Sequence, residues 1–226
     1  MKRFIFAFLS LLFLLPCASL AEGRIEVTNE SFLGGCYYFA RIENTGDEAT
    51  IVNGAYTLDF YDADANEVYT KELCILGYAP IKVEPGEYFY VHDKLYTSVD
   101  DAEYFGSFFI PEDRGIQYVR QSCEVNYGVG YEGQFAVFDV TVRNDTEKAL
   151  EEYMVTLAAL SMDDRLMYVD SLKMTNVSNP PSITIPPHSS IVMRFVLAGY
   201  DTLMEVWKNE EMQIGSVKAD LYYADR

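Results

Sequence analysis

The sequence predicts an all-β protein of two β-sandwiches in tandem. Three observations carry this reading: a gapless internal repeat, apolar residues that alternate with polar ones at period two, and turn-forming residues between the alternating runs. "RIEVTNESFLGGCYYFARIENTGDEA" (residues 24–49) lies on "EVNYGVGYEGQFAVFDVTVRNDTEKA" (residues 124–149) without a gap, matching Asn44 to Asn144 and Ala49 to Ala149. After slips of a residue or two, "TLDFYDADANEVY" falls on "TLAALSMDDRLMY" and "VEPGEYFYV" on "TIPPHSSIVMRF", and "EYFGSFFI" and "MQIGSVKADLYY" close the two copies. The unit is about a hundred residues, the size of one sandwich domain. The expected organisation is a signal peptide over 1–21, a first sandwich over 22–112 and a second, degenerate copy over 113–226.

Taken in order, the chain opens with Lys2 and Arg3, an apolar run from Phe4 to Leu15, Pro16, and then small residues at Ser19 and Ala21. This is the pattern of a secretory signal peptide cut between Ala21 and Glu22. The run falls short of the roughly 20 apolar residues a spanning helix needs, so the expectation is a secreted, extracellular protein with no membrane insertion after cleavage. The alternative is a lipoprotein anchored through Cys17, which follows "LLP".

In the first strand pair of each copy, Cys36, Tyr38, Ala40 and Ile42 align with Ala136, Phe138, Val140 and Val142, which marks the face shared by both copies as the core face. Tyr56, Leu58 and Phe60, matched to Val155, Leu157 and Ala159, give the next strand the same alternation. Turn chemistry separates the strands at "NTGD", "EPGE" and "IPPHSS". Late in the second copy, "DTLMEVWKNEE" pairs Thr202 with Glu205 as a capping box and spaces Leu203, Val206 and Trp207 for a helix, so a short helix is expected before the last strand. "TSVDDAEYF" is its candidate counterpart in the first copy.

Charge and cysteine content narrow the function classes. The chain carries 17 basic and 35 acidic residues; loss of residues 1–21 removes two basic residues and no acidic ones, leaving 15 against 35, a net −20. Repulsion from phosphate excludes nucleic acid as an expected partner and disfavours an anionic membrane surface. Cys36, Cys74 and Cys123 remain after the leader is removed, an odd number without C-x-x-C spacing, which argues against a zinc site or a disulfide-stapled scaffold. No cofactor is expected.

Asp62, Asp64 and Asn66 stand two residues apart, as calcium ligands do in a loop. Such a loop also wants Gly at its sixth position and an acidic ligand at its twelfth, and counting from Asp62 these are Glu67 and Leu73. A solvated hairpin turn is therefore the expectation, and no metal. No G-x-S-x-G, H-E-x-x-H or phosphate loop is present, and neither His92 nor His188 has Ser or Cys at a motif spacing, so no catalytic residue is assigned.

Tyr61 and Asp62 at the end of an apolar strand, the Asp/Asn-rich turn after it, "ENTGDEA" before it and "EPGEYFYV" later together resemble the FxLYD domain. This is an immunoglobulin-like sandwich of secreted and surface proteins of bacteria. The first copy departs from the pattern at Glu67, where Gly is usual. The second keeps the spacing with Leu160-Ser161 for Tyr-Asp and Pro187-His188 for Pro-Gly. The resemblance implies the fold and an accessory or binding role without assigned activity.

The chain holds 18 Tyr and 14 Phe, and several fall on faces opposite the core set: Tyr37 and Phe39, Tyr61, and Tyr88, Tyr90 and His92. If their three strands are neighbours, the first sandwich carries an outward aromatic face suited to an unknown protein or glycan partner, since Tyr gives contact area at low entropic cost. The opposing expectation is that this face packs on the second domain. The functional expectation is a non-enzymatic binding or accessory protein. The alternative is an extracellular hydrolase or a calcium-dependent enzyme using surface carboxylates.

Overall fold

The computed structural model describes residues 24–52, 55–61, 64, 66–74, 81–94, 103–108, 118–129, 136–174, 183–197 and 201–224. The expected leader, Cys17 and the boundary near residue 112 lie outside them. The described chain is all-β, with a helix immediately before the last strand. In the first half the strands are β1 (Ile25–Leu33), β2 (Tyr37–Asn44), β3 (Thr50–Val52), β4 (Ala55–Tyr61), β5 (Glu67–Cys74), β6 (Ile81–Val83), β7 (Tyr88–Lys94) and β8 (Glu103–Phe108). The second half comprises β9 (Tyr118–Val129), β10 (Ala136–Arg143), β11 (Tyr153–Ser161), β12 (Leu166–Met174), β13 (Ser190–Val196), the helix α1 (Asp201–Asn209) and β14 (Ile214–Ala224).

The strand pairings repeat. In the first half β1-β2-β7 forms one sheet and β5-β4-β8 another. In the second half β9-β10-β13 and β12-β11-β14 follow the same order. The short β3–β6 ladder, in which Thr50 pairs with Val83, has its counterpart in an isolated bridge between Leu150 and Ile185. The strand β9 is long enough to serve both sheets of its half: residues 118–123 pair with β14 and residues 124–129 with β10. A single parallel bridge, Ile81 to Tyr118, joins β6 to the start of β9.

Period-two alternation places the cores where the sequence puts them. Tyr38, Ala40, Ile42, Tyr56, Leu58, Phe60, Phe89 and Val91 fill the first core. Phe138, Val140, Val142, Val155, Leu157 and Ala159 fill the second. Cys36 is an exception to the expected core set: it stands in the turn between β1 and β2 and packs against the second half's cluster. Helix α1 buries Leu203 and Trp207, whose indole N–H donates to the Met167 carbonyl at 3.2 Å. It begins at Asp201, so the expected capping residue Thr202 lies within its first turn. Of "TSVDDAEYF", only the final residues are described, and they open β8.

The repeat is pinned by the two matched asparagines, each fully buried. Asn44 accepts from the Gly46 N–H at 3.0 Å and donates to the carbonyls of Glu48 at 2.7 Å and Val83 at 3.0 Å. Asn144 accepts from the Thr146 N–H at 3.0 Å and donates to the carbonyls of Lys148 at 2.7 Å and Ile185 at 2.9 Å. One side chain thus closes the turn that follows its strand and ties that turn to the strand leading into the next hairpin. Its amide supplies both a donor and an acceptor, which no apolar residue of that size can do. Asn144→Ala is expected to cost about 3 kcal/mol, because buried carbonyls lose their partners. A urea titration should show a lower midpoint with an unchanged slope, and a cost under about 0.5 kcal/mol would show that the turn stands without the side chain.

The turn before the following strand also repeats, at a cost. Gly86 has φ 75° and His188, its counterpart, has φ 53°. The left-handed region is free to glycine but strains a residue with a Cβ. His188→Gly should therefore stabilise the protein by about 0.5–1 kcal/mol, after allowing for the greater unfolded-state freedom of glycine. Thermal melts check this, and a lowered melting temperature would show that the exposed contact between His188 and Glu147 outweighs the strain.

Candidate functional site

The strands β2 and β7 are neighbours, and their outward residues pair across the ladder: Glu43 with Tyr88, Arg41 with Tyr90, Phe39 with His92 and Tyr37 with Lys94. The aromatic set therefore shares one face, as the alternation requires. Tyr61 does not join it, because β4 lies in the other sheet, between β5 and β8. The face is also not open. Tyr37, Phe39 and Tyr90 are 1%, 2% and 5% exposed and belong to the cluster formed mainly by the second half. Tyr88 and His92 are half-buried. The packing alternative is the arrangement found: the outer face of β1-β2-β7 rests on the outer face of the sheet that contains β12, β11, β14 and the first part of β9.

The surface that receives it has a polar row through its middle. Thr156 on β11 stands opposite both Ser171 on β12 and Asp220 on β14, and Asp220 stands opposite Ser122 on β9. Residues directly opposite in an antiparallel pair share a face, so these four cross the sheet in line. The Thr156 and Ser171 hydroxyls are 3.0 Å apart, and His92 Nε2 reaches Ser171 Oγ at 3.1 Å from the first half. At the other end of the row Ser122 donates to Asp220 Oδ1 at 3.3 Å, and Arg120 Nε lies 3.0 Å from the same oxygen.

Tyr88 joins the halves electrostatically. The Arg120 guanidinium is 4.0 Å from its ring centroid, with Arg41 at 5.4 Å and the Lys218 ammonium at 5.7 Å. A partly desolvated cation over such a ring contributes about 1–2 kcal/mol. Tyr88 and Tyr90 meet edge to face at 5.4 Å, Phe39 meets Tyr168 at 6.4 Å, and Lys94 sits 5.1 Å from the Tyr37 ring. Along β1, Asn29 donates to the Asp164 carbonyl at 2.5 Å, a direct bond between the halves.

Burial dominates the titration of this region. It raises Asp220 above the ordinary carboxylate range even though Arg120, Ser122 and Lys218 pull the other way. It raises Tyr88, Tyr90 and Tyr222 as well, with Asp220 adding to each. Burial works against the Arg120 charge, but Asp220, Tyr222 and Tyr88 outweigh it. Cys123 is pushed up to about 12, which keeps its thiol protonated and unreactive. The Tyr222 hydroxyl, Asp220 Oδ2 and Arg120 Nε are buried without a hydrogen-bond partner, so Arg120 meets Asp220 as an ion pair.

Of the remaining sequence candidates, Tyr61 is half-buried, Asp64 and Asn66 are exposed, and Asp62 lies outside the described residues. No group of three or more potential metal ligands occurs among the described residues. Sequence reasoning missed Arg120, Ser122, Thr156, Ser171 and Asp220. A signal for them existed in "YMVTLAALS", which is apolar on both faces and so marks a strand covered on both sides. An aspartate amid the apolar run "ADLYY" was a second signal, since such a group needs a partner when buried.

No family model and no curated protein matches the sequence. Among solved structures, the chain is similar to the C-terminal globular domain of an oligosaccharyltransferase from Pyrococcus abyssi, with 9% identity, 90% of this chain and 48% of that chain covered, and a TM-score of 0.26. It is similar also to red sea bream transglutaminase, with 10% identity, coverage of 90% and 29%, and a TM-score of 0.24. The chain thus spans less than half the length of either. Among the described residues no helix is long and apolar enough to cross a membrane.

Burial lowers His92 below the ordinary imidazole value, opposed by Asp170 and Asp93. A histidine kept neutral in the fold contributes stability that is complete above its unfolded value of about 6.5 and is lost as pH falls below it. His92→Gln keeps a hydrogen-bonding group for Ser171 but cannot titrate. Between pH 7.5 and 5.5, the melting temperature of the natural protein should drop relative to that of His92→Gln. The comparison cancels the opposite trend expected from the raised Asp220, and a constant gap between the two proteins would contradict the assignment.

Proposed function

We propose that the protein is a non-enzymatic accessory or binding module of the FxLYD-like kind, exported from the cell, that engages a protein or glycan outside it. The carrying observation is where four of the described polar side chains are spent. His92, Ser171, Arg120 and Asp220 sit in the contact between the two halves, bonded to one another or ringed by tyrosine. The sequence pattern of an export signal and the resemblance of the first copy support the same reading. The aromatic face is then a structural joint, and the binding surface belongs to the sheet faces turned to solvent.

A second reading has one observation in its favour. His92 Nε2 lies 3.1 Å from Ser171 Oγ, the distance of a base from the nucleophile it activates. Hydrolysis would also need an oxyanion site and room for an acyl group beside Ser171, and Thr156 already holds that hydroxyl. A fluorophosphonate probe separates the readings. The accessory reading expects no labelling of the folded protein, whereas labelling at Ser171 that disappears in His92→Gln would replace it with the hydrolase. Immobilised protein should retain a component of the native extracellular fraction that free protein competes away.

A further inference from the structure

Two tyrosines cross the joint between the halves. Tyr90, on β7, belongs to the cluster built mainly by the second half, and Tyr222, on β14, belongs to the cluster built mainly by the first. They are 5% and 1% exposed, and each carries a hydroxyl that no protein group meets at hydrogen-bonding distance. Asp220 Oδ2, on a residue 1% exposed, is in the same condition. Tyr222 and Asp220 stand two residues apart on one face of β14, with Arg120 and Ser122 opposite them on β9. The charge of Asp220 bears on both tyrosines, and Tyr90 bears on Tyr222, so the three groups gather in one region of the joint.

Buried polar groups in folded proteins are paired with protein or with ordered water. An internal water takes about three partners, and the set here is of that size: one carboxylate oxygen that only accepts and two hydroxyls that donate or accept. The surrounding charge disfavours an ion. Arg120 lies 3.0 Å from Asp220 Oδ1 and 4.0 Å from the Tyr88 ring, with Lys218 5.7 Å from that ring, and both repel a cation. Asp220 itself repels an anion. Access is short, because Ser122, whose hydroxyl reaches Asp220 Oδ1 at 3.3 Å, is exposed. We infer that the joint contains a binding site for one water molecule, held by the Tyr90 hydroxyl of the first half and by the Tyr222 hydroxyl and Asp220 Oδ2 of the second. Each leg spans about 2.8 Å. The water donates to the carboxylate and accepts from a tyrosine, and so links the halves where these side chains do not meet directly. The inference is independent of the proposed function and stands or falls separately from it.

A high-resolution crystal structure should show one solvent peak within hydrogen-bonding distance of all three atoms. Tyr90→Phe and Tyr222→Phe each remove one leg and keep the ring, so both variants should fold. Urea titrations of the natural protein, the two single variants and the double variant complete the test. The second substitution should cost less than it does alone, because the first already loosens the water, and the folding equilibrium constants should depart from additivity by about threefold or more. Tyr153→Phe removes a hydroxyl bonded directly to the Ile183 carbonyl at 2.7 Å and should simply add to Tyr222→Phe. No solvent peak at that position, tyrosine hydroxyls bonded directly to Asp220, or an additive Tyr90–Tyr222 cycle would overturn the inference. A peak with contacts of about 2.4 Å, the distance of a metal cation from oxygen, would overturn it as well.

Discussion

The arrangement of the two halves depends on burying Asp220. A carboxylate in the middle of a covered sheet is tolerable only with a cation and donors at hand, and Arg120 and Ser122 from the neighbouring strand supply them. The same guanidinium then lies against the ring of Tyr88, so the group that compensates the buried charge is also the group that holds the first half. A buried ion pair of this kind adds little net stability over an apolar filling, but loss of one partner strands the other. In this arrangement the outer face of β7 sits with Tyr88 over Arg120 of β9 and with His92 against Ser171 of β12.

The two copies show how a repeated fold diverges. The elements that close each sandwich are kept: the buried asparagine, its carbonyl partners and the left-handed turn residue occur in both halves. The outer faces have parted. In the first copy the face is aromatic and covered; in the second it is small, aliphatic and salt-bridged, and it meets solvent. Inner faces are constrained by their own sandwich, whereas outer faces answer only to what lies over them, so the divergence falls where the repeat leaves each copy free.

Much of the fold was legible because it is local. The alternation of Tyr38, Ala40 and Ile42, of Phe138, Val140 and Val142, and of Tyr56, Leu58 and Phe60 fixes which residues face inward, since successive side chains of a strand point to opposite faces. The equivalence of Asn44 and Asn144 was readable from the ungapped alignment, although their role was not. The candidate site was legible by half. The outward set of β2 and β7 was correctly grouped, but Tyr61 was assigned to the same face through an assumed strand order. That order depends on a crossover no local pattern reports: β2 pairs with β7, nearly fifty residues later, rather than with β4.

The sequence by itself determined the strands, the inward face of each, the helix before the last strand and the duplication, because all of these follow from dihedral preference, period-two burial and turn chemistry within short windows. Tertiary structure alone decided what the outward faces do. Whether Tyr37, Phe39 and Tyr90 meet solvent or a second sheet, and whether Ser171 and Asp220 find His92 and Arg120, depends on how one sandwich is placed on the other. That placement is the sum of many weak contacts between residues far apart in the chain, each with a near-equal alternative in water, and so leaves no local signature to read.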